Sequence, residues 1–175
     1  MKAIIYTSNT GSTAEYAQLL GKELNLPVHS LQQAKNKVPV GSEIIYLGWI
    51  MAGGIKGYKE AAKLYKVRAV CGIGMGQTGT QLKEVRDKNA IPQRIPLFTL
   101  QGNFDVKKLH GVYRFMMDVM VKTAGKGLAA KTDRTPEEDD MLDMMINGGK
   151  RVSLQNLKAV TEWYKGINQA QLNYA

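Results

Sequence analysis

Apolar runs and amphipathic stretches alternate along this chain, and their spacing defines its elements. Lys2–Tyr6 is a short run, β-branched and apolar on both faces, as expected of a strand buried between two layers. In the segment after it, Ala14, Ala17, Leu20 and Leu24 share one face at helical spacing, while Glu15, Gln18 and Lys22 fall outside it. Ser12 and Glu15 make an S-x-x-E pattern, so a capping box is expected at the start of that helix. Pro27 opens a second strand, Val28–Leu31, and a polar stretch rich in Lys and Asn runs up to Pro39. Glu43–Trp49 reads as a third strand, and Met51–Tyr58 as a glycine-rich loop. A helix over Lys59–Lys66 leads to a fourth strand, Val67–Met75. Another glycine-rich turn, a helix over Thr80–Lys88 and a fifth strand, Ile95–Leu100, follow. Strands alternating with helices and short loops predict βαβ units around a parallel sheet covered on both faces.

Beyond the fifth strand the period changes. Asp105 is placed to cap a long helix reaching about Ala124, and a polar segment follows at Gly125–Lys150. Ser153 then caps a last helix with Leu154, Leu157, Val160 and Tyr164 on its inner side, stopped at Gly166. No internal repeat or linker interrupts the pattern. Residues 1–175 therefore read as one domain with an insertion at about 125–150 before the last helix.

Composition adds little to this picture, and charge adds one thing. With 44% apolar and 22% charged residues the chain is an ordinary globular one, and no run approaches the roughly 18–20 apolar residues of a membrane span. The first apolar residues already read as a strand, so no signal peptide is expected. The single cysteine, Cys71, excludes an internal disulfide, suits a cytoplasmic location and lies in an apolar run as a buried thiol would. The net charge of +9 favours anionic partners such as nucleic acid, acidic proteins or an anionic membrane surface, or else serves only solubility. No nucleic-acid-binding motif accompanies it, so nucleic acid is not an expected partner. His29 and His110 lack metal-ligand spacing, and no G-x-S-x-G nucleophile motif occurs.

Parallel α/β sheets bind ligands beyond the carboxyl ends of their strands. Three loops leave such ends: TSNTGST (7–13), WIMAGGIKGY (49–58) and GMGQTG (74–79). With strands one, three and four adjacent, these loops converge. The first offers backbone N–H groups at a helix start and the hydroxyls of Ser8, Thr10, Ser12 and Thr13, a natural anion cradle unless it is only a well-capped helix. It has no Lys, no Arg and no G-x-x-x-x-G-K-[ST] pattern, so it suits a phosphate that is held rather than transferred. Gly74–Gly79 matches G-x-G-x-x-G, but it follows the fourth strand, and the next strand ends Thr99-Leu100-Gln101 without the expected carboxylate. Its glycines let the backbone pass close to a flat ligand. Trp49 can stack on such a ligand, or it is a core residue at a strand end.

S-x-T-G-x-T at Ser8–Thr13, on the first strand-helix turn, resembles the FMN phosphate loop of flavodoxins. The strand order and the two later glycine-rich loops extend the similarity over about residues 1–105. GNFDVKKLHGVYRFMM (102–117) resembles a stretch of the flavodoxin subfamily that includes menaquinone-dependent protoporphyrinogen dehydrogenases, whose members also carry an insertion before a final helix. The resemblance implies a flavodoxin-like three-layer α/β sandwich with a five-stranded parallel sheet of order 2-1-3-4-5 and helices on both faces. It implies that Ser8, Asn9, Thr10, Gly11, Ser12 and Thr13 hold the 5′-phosphate of FMN. Trp49, Ile50, Met51, Ala52 and Gly53 would flank the isoalloxazine ring, with Gly76, Gln77 and Thr78 on its other side.

The function so implied is a flavoprotein of electron transfer, carrier or oxidoreductase, serving a redox partner protein or a small oxidisable substrate. A protoporphyrinogen-dehydrogenase-like enzyme with a quinone acceptor is one alternative, and a flavin-free binding or regulatory module is another. The chain departs from the flavodoxin pattern in being basic and in lacking an aromatic residue in GMGQTGT, which leaves one ring face open to a substrate or second cofactor. Its tail is the third departure. The 106–124 helix carries Leu109, Val112, Tyr113, Phe115, Met116, Met117, Val119, Met120 and Val121, with Lys107, Lys108, Arg114, Lys122 and Lys126 along and after it. Such a helix either packs on the sheet or meets a membrane surface or quinone. The acidic run Glu137–Asp140 reads as a solvated face or a charge bias at a helix start.

Overall fold

The computed structural model describes residues 1–103 and 111–172. In chain order its elements are β1 (Ala3–Thr7), α1 (Ser12–Leu24), β2 (Val28–Ser30), α2 (Leu31–Lys37), β3 (Glu43–Met51), β4 (Gly54–Ile55) and α3 (Tyr58–Leu64). There follow β5 (Lys66–Gly74), α4 (Leu82–Asn89), β6 (Leu97–Gln101), α5 (Gly111–Ala130), α6 (Pro136–Asn147) and α7 (Lys158–Leu172). The strands β2-β1-β3-β5-β6 lie side by side, all parallel, and β4 pairs antiparallel with the end of β3.

Period-two alternation divides each strand between two cores. Ile4, Ile45, Leu47, Ala69, Cys71, Ile73 and Leu100 pack with Tyr16, Ala17 and Leu20 of α1 and with Leu157 and Val160. Ala3, Ile5, Ile44, Tyr46, Val70 and Leu97 pack on the opposite face with Leu31 and Ala34 of α2, Tyr58 and Ala61 of α3, and Val85 of α4. Helices on both faces of a parallel sheet make a three-layer α/β sandwich of the flavodoxin-like type, with the order 2-1-3-4-5 once the two-residue β4 is set aside.

Several local expectations are corrected. The second strand is one residue shorter than expected, and the polar stretch up to Pro39 holds a helix. The strand ends at Ser30, whose hydroxyl accepts from the Gln33 N–H while the Gln33 side chain accepts from the Ser30 N–H. That capping box, with Leu31 and Ala34 buried one turn apart, makes α2. At α1 the expected box between Ser12 and Glu15 does not form. Gly11 is the cap residue, in the left-handed region at φ 106°, and Ser12 is already helical and buried. Segment 125–150 is largely helical, since α5 runs on to Ala130 and α6 starts from a Thr135–Glu138 capping box with Pro136 in its first turn. Gly166 does not stop α7, and Leu154 is exposed rather than inner. Ser153 accepts a long 3.4 Å bond from the Asn156 N–H, and a 3-10 turn at Gln155–Leu157 precedes α7.

The expected cap at Asp105, the helix start at 106, Lys107, Lys108, Leu109 and His110 lie outside the described residues, as do the side chains of Val112, Tyr113, Arg114, Phe115, Met116, Met117 and Met120. Among the described residues, no helix is long and apolar enough to cross a membrane.

The largest difference concerns the third strand. β3 continues past Trp49 to Met51, turns through Ala52 (φ 47°) and Gly53 (φ 73°), and returns as β4, with Ile50 opposite Ile55. Two consecutive positive φ angles mark the tight turn whose twist suits a hairpin. The hairpin folds back over the sheet, where strand glycines leave room for it. A Cβ on Gly72 would lie 2.8 Å from Ile50 Cδ1, and one on Gly48 would lie 2.6 Å from Ile55 Cγ2. The sequence MAGGIKGY is thus a packed element, not a loose loop.

Candidate functional site

The sheet register brings the carboxyl ends of β1, β3 and β5 level. Thr7 lies opposite Gly48, and Gly48 opposite Gly72. The loop Ser8–Gly11 leaves β1 directly into the first turn of α1, whose leading N–H groups have no intrahelical acceptor. Within it, Ser12 and Thr13 are buried, Thr10 and Ser8 are half-buried, and Asn9 and Gly11 are exposed. The space beside the Gly11 Cα is open, with nothing within 4 Å of where a Cβ would stand. Ser8 Oγ is buried and has no hydrogen-bond partner among the described residues. A buried hydroxyl left unpaired is costly, so its presence here asks for an acceptor or donor from outside the chain.

The six loop residues do not share one fate. The Ser12 hydroxyl is engaged by Asn103, accepting from its N–H at 3.0 Å and donating to its carbonyl at 3.3 Å. Asn103 reaches further with its side chain. Its Oδ1 accepts from the N–H groups of Arg151 (2.7 Å) and Val152 (2.9 Å), and its Nδ2 donates to Glu15 Oε2 (3.0 Å). Alongside, the Tyr16 hydroxyl donates to the Gln101 carbonyl at 2.6 Å and accepts from Asn156 Nδ2 at 2.7 Å. The end of β6 is therefore tied to the start of α1 and to the segment that precedes α7. Burial raises the Tyr16 phenol above its ordinary range, so it stays protonated as this donor.

The second loop meets the first at Thr7. The Tyr46 hydroxyl donates to the Lys56 carbonyl at 2.7 Å, leaving Thr7 Oγ1, 2.8 Å away, as its donor. Burial also pushes the Tyr46 phenol well up. A Cβ on Gly57, which caps α3 at φ 79°, would collide with both hydroxyls. Trp49 is half-buried opposite Ile73, on the sheet face that carries Leu47, and Lys56 Nζ lies 5.7 Å from the centre of its ring. Ile50 is turned onto the opposite face against Gly72 and Gly74, Met51 is half-buried, and Ala52 is exposed at the hairpin tip. Gly53 is drawn to α4, where its carbonyl accepts from Asn89 Nδ2 at 2.8 Å while Asn89 Oδ1 accepts from the Ile55 N–H at 2.7 Å.

The third loop is pinned to β6. Thr78 Oγ1 accepts from the Gln101 N–H (3.1 Å), the Gly79 N–H donates to the Thr99 carbonyl (2.9 Å), and the Thr80 hydroxyl closes back on the Gln77 carbonyl (2.7 Å). Thr78 is exposed, while Gly76 and Gln77 are half-buried and face α6. Between them lies a cavity of about 170 Å³ lined by Met75, Gly76, Gln77, Thr80, Gln81, Glu137, Asp140 and Met141. α6 is held there by Asp140, which accepts from Gln101 Nε2 at 2.5 Å and pairs with the Arg151 guanidinium at 3.1 Å.

Sequence reasoning did not single out Lys56, Gln101, Asn103, Glu137 or Asp140 for this end of the sheet. Only Asn103, the first polar residue after the glycine that follows β6, carries a local turn signal. Cys71 is fully buried and its thiol is pushed up to about 12 by desolvation, so it is no nucleophile near neutral pH. Among the described residues, no group of three or more His, Cys, Asp and Glu side chains is arranged to hold a metal ion. Comparison of the chain with family models, with curated proteins and with solved structures returned no match.

Proposed function

We propose that this protein binds FMN and acts as a flavodoxin-like redox protein, passing electrons to or from a partner protein or a small substrate. The observation that carries the proposal is the unpartnered, buried hydroxyl of Ser8 in a loop that enters a helix N-terminus at the carboxyl edge of the sheet. Ser8, Thr10 and the first-turn N–H groups of α1 would hold the 5′-phosphate. Asn9 and Gly11 would lie at its open side. Ser12, engaged by Asn103, and Thr13, buried to 1% exposure, would shape the loop rather than lend their hydroxyls. Trp49, with Lys56 over its ring, would flank the isoalloxazine, and the Gly76–Gln77 backbone would border it from β5. When bound, the flavin supplies one- or two-electron chemistry. The protein's part would be to anchor the phosphate and to offer Trp49 as a surface for the ring.

Within flavodoxin-like proteins, the subfamily that includes menaquinone-dependent protoporphyrinogen dehydrogenases is the nearest reading of the tail. Support comes from the helical pair α5–α6 inserted before the last helix, together with the 102–117 stretch. The decisive experiment is titration of the purified protein with FMN, followed by flavin fluorescence and by Trp emission. Saturable uptake is expected, with quenching that Trp49→Ala reduces. A protein that is colourless and takes up no FMN would refute the proposal and leave the binding-module alternative.

A further inference from the structure

The chain carries 24 Lys and Arg against 15 Asp and Glu, yet the cavity between the β5–α4 loop and α6 is lined by two carboxylates and no cation. Its walls are of unlike kinds. On one side stand Gly76, Gln77, Thr80 and Gln81; on the other stand Glu137 and Asp140. Met75 and Met141 supply soft apolar surface.

The charge on the α6 side is not evenly compensated. Glu138 is paired with Lys131 at 2.8 Å, Asp139 with Arg134 at 2.6 Å, and Asp140 and Asp143 with Arg151 at 3.1 and 3.2 Å. Among the described residues Glu137 makes no ion pair, and it is the one acid of the 137–140 run that lines the cavity without a cation of its own. At about 170 Å³ the space is well below the 300–1,000 Å³ of sites that take a whole cofactor, and it fits a fragment of roughly ten heavy atoms.

We propose that this cavity is a binding site for a small organic cation, such as a protonated aryl or alkyl amine or a cationic heteroaromatic ring, anchored by Glu137 and seated between Met75 and Met141. Asp140, held by Gln101 and Arg151, fixes the wall on which Glu137 stands. That the occupant would be a substrate beside the flavin rests on the function proposed above, because Gly76 and Gln77 border both places. The binding itself does not. A ligand rich in carboxylates is disfavoured on this side, which weighs against a porphyrinogen entering here by its acidic edge.

Benzylammonium, with benzyl alcohol and benzoate as neutral and anionic counterparts, tests the site in the full-length protein without FMN. Methionine methyl signals in NMR provide the readout, so failure here leaves the FMN titration untouched. Saturable shifts at Met75 and Met141 are expected with benzylammonium, with a dissociation constant on the order of 1 mM for so small a ligand. Because Glu137 is exposed, both counterparts should bind about three- to fivefold more weakly, and Glu137→Gln should weaken benzylammonium by a similar factor, the effect of one solvent-screened ion pair. Asp139→Asn, an equal change of charge outside the cavity, should leave binding unchanged, and Met141→Trp should abolish it. Equal binding of the three compounds, equal weakening by the two charge variants, or no saturable shift in the wild-type protein would each overturn the proposal.

Discussion

Replacing Asn103 by alanine removes the side chain that joins three separate parts of the chain. Two backbone N–H groups, of Arg151 and Val152, lose their acceptor at 2.7 and 2.9 Å, and the Glu15 carboxylate loses a donor at 3.0 Å. Each neutral bond contributes about 1 kcal/mol net, and the bond to the carboxylate somewhat more, for a sum of roughly 3–4 kcal/mol. Asn103 is only half-buried, so water can replace part of this, and the expected loss is about 2–3 kcal/mol. In a chain of this length each kcal/mol shifts Tm by roughly 2–4 °C, so a fall of about 4–12 °C is expected. Urea unfolding followed by circular dichroism should show a lower midpoint with an unchanged slope, because the surface exposed on unfolding is the same. The Ser12 hydroxyl, bonded to the backbone of residue 103, should keep its place. A loss below about 1 kcal/mol would refute the view that this one amide ties β6 to α1 and to the 151–152 segment.

Three further outcomes follow from the same geometry. Ser8→Ala removes a buried, unpartnered hydroxyl, so the ligand-free protein should be as stable as wild type or slightly more so, while FMN binding weakens roughly tenfold or more; unchanged affinity on titration would rule Ser8 out as a phosphate donor. Gly57→Ala combines a left-handed backbone with a collision at Tyr46 and Thr7, and thermal unfolding should show a loss of at least about 2 kcal/mol. Alkaline pH should destabilise the fold through Cys71, whose thiol ionises near 9.0 when exposed but only at about 12 when folded. The unfolded chain therefore binds fewer protons in that window, and the contribution, present below pH 9, is lost as pH rises towards 12, with Tyr16 and Tyr58 acting in the same direction. Urea unfolding across the alkaline range should show a shallower decline in Cys71→Ser, and the wild-type thiol should resist alkylation until the protein unfolds.

What could be read in advance was whatever depends on neighbours in sequence. Buried parallel strands announce themselves as apolar runs, and most of the chain between them as amphipathic helices, so the layering was legible, while the strand order was implied by the resemblance to flavodoxins. The TSNTGST loop was legible for the same reason, since a helix start and its donors occupy consecutive residues. Even there, local reasoning assigned Ser12 to a capping box with Glu15, and a residue 91 positions away took its hydroxyl instead. The competition between those two partners is settled by how β6 is laid against α1, which no local pattern encodes.

The remaining differences have the same cause. α2 has only two buried side chains, Leu31 and Ala34, and its lysines and amides masked a helix that its capping box and its place on the sheet make stable. The β3–β4 hairpin exists because Gly48 and Gly72, on two different strands, leave a shelf on which Ile50 and Ile55 can pack. Glu137 and Asp140 lie about 60 residues from Gly76 and Gln77 in sequence, and only the fold of α6 against the β5–α4 loop encloses a space between them. By itself, then, the sequence determined most of the elements and their layers, and it placed hydroxyl and N–H donors together in the first loop, because each follows from periodicity or from adjacent residues. Tertiary structure alone decided which of those donors stay unpaired, where the hairpin lies and what charge faces the cavity, because those depend on contacts between segments that periodicity does not relate.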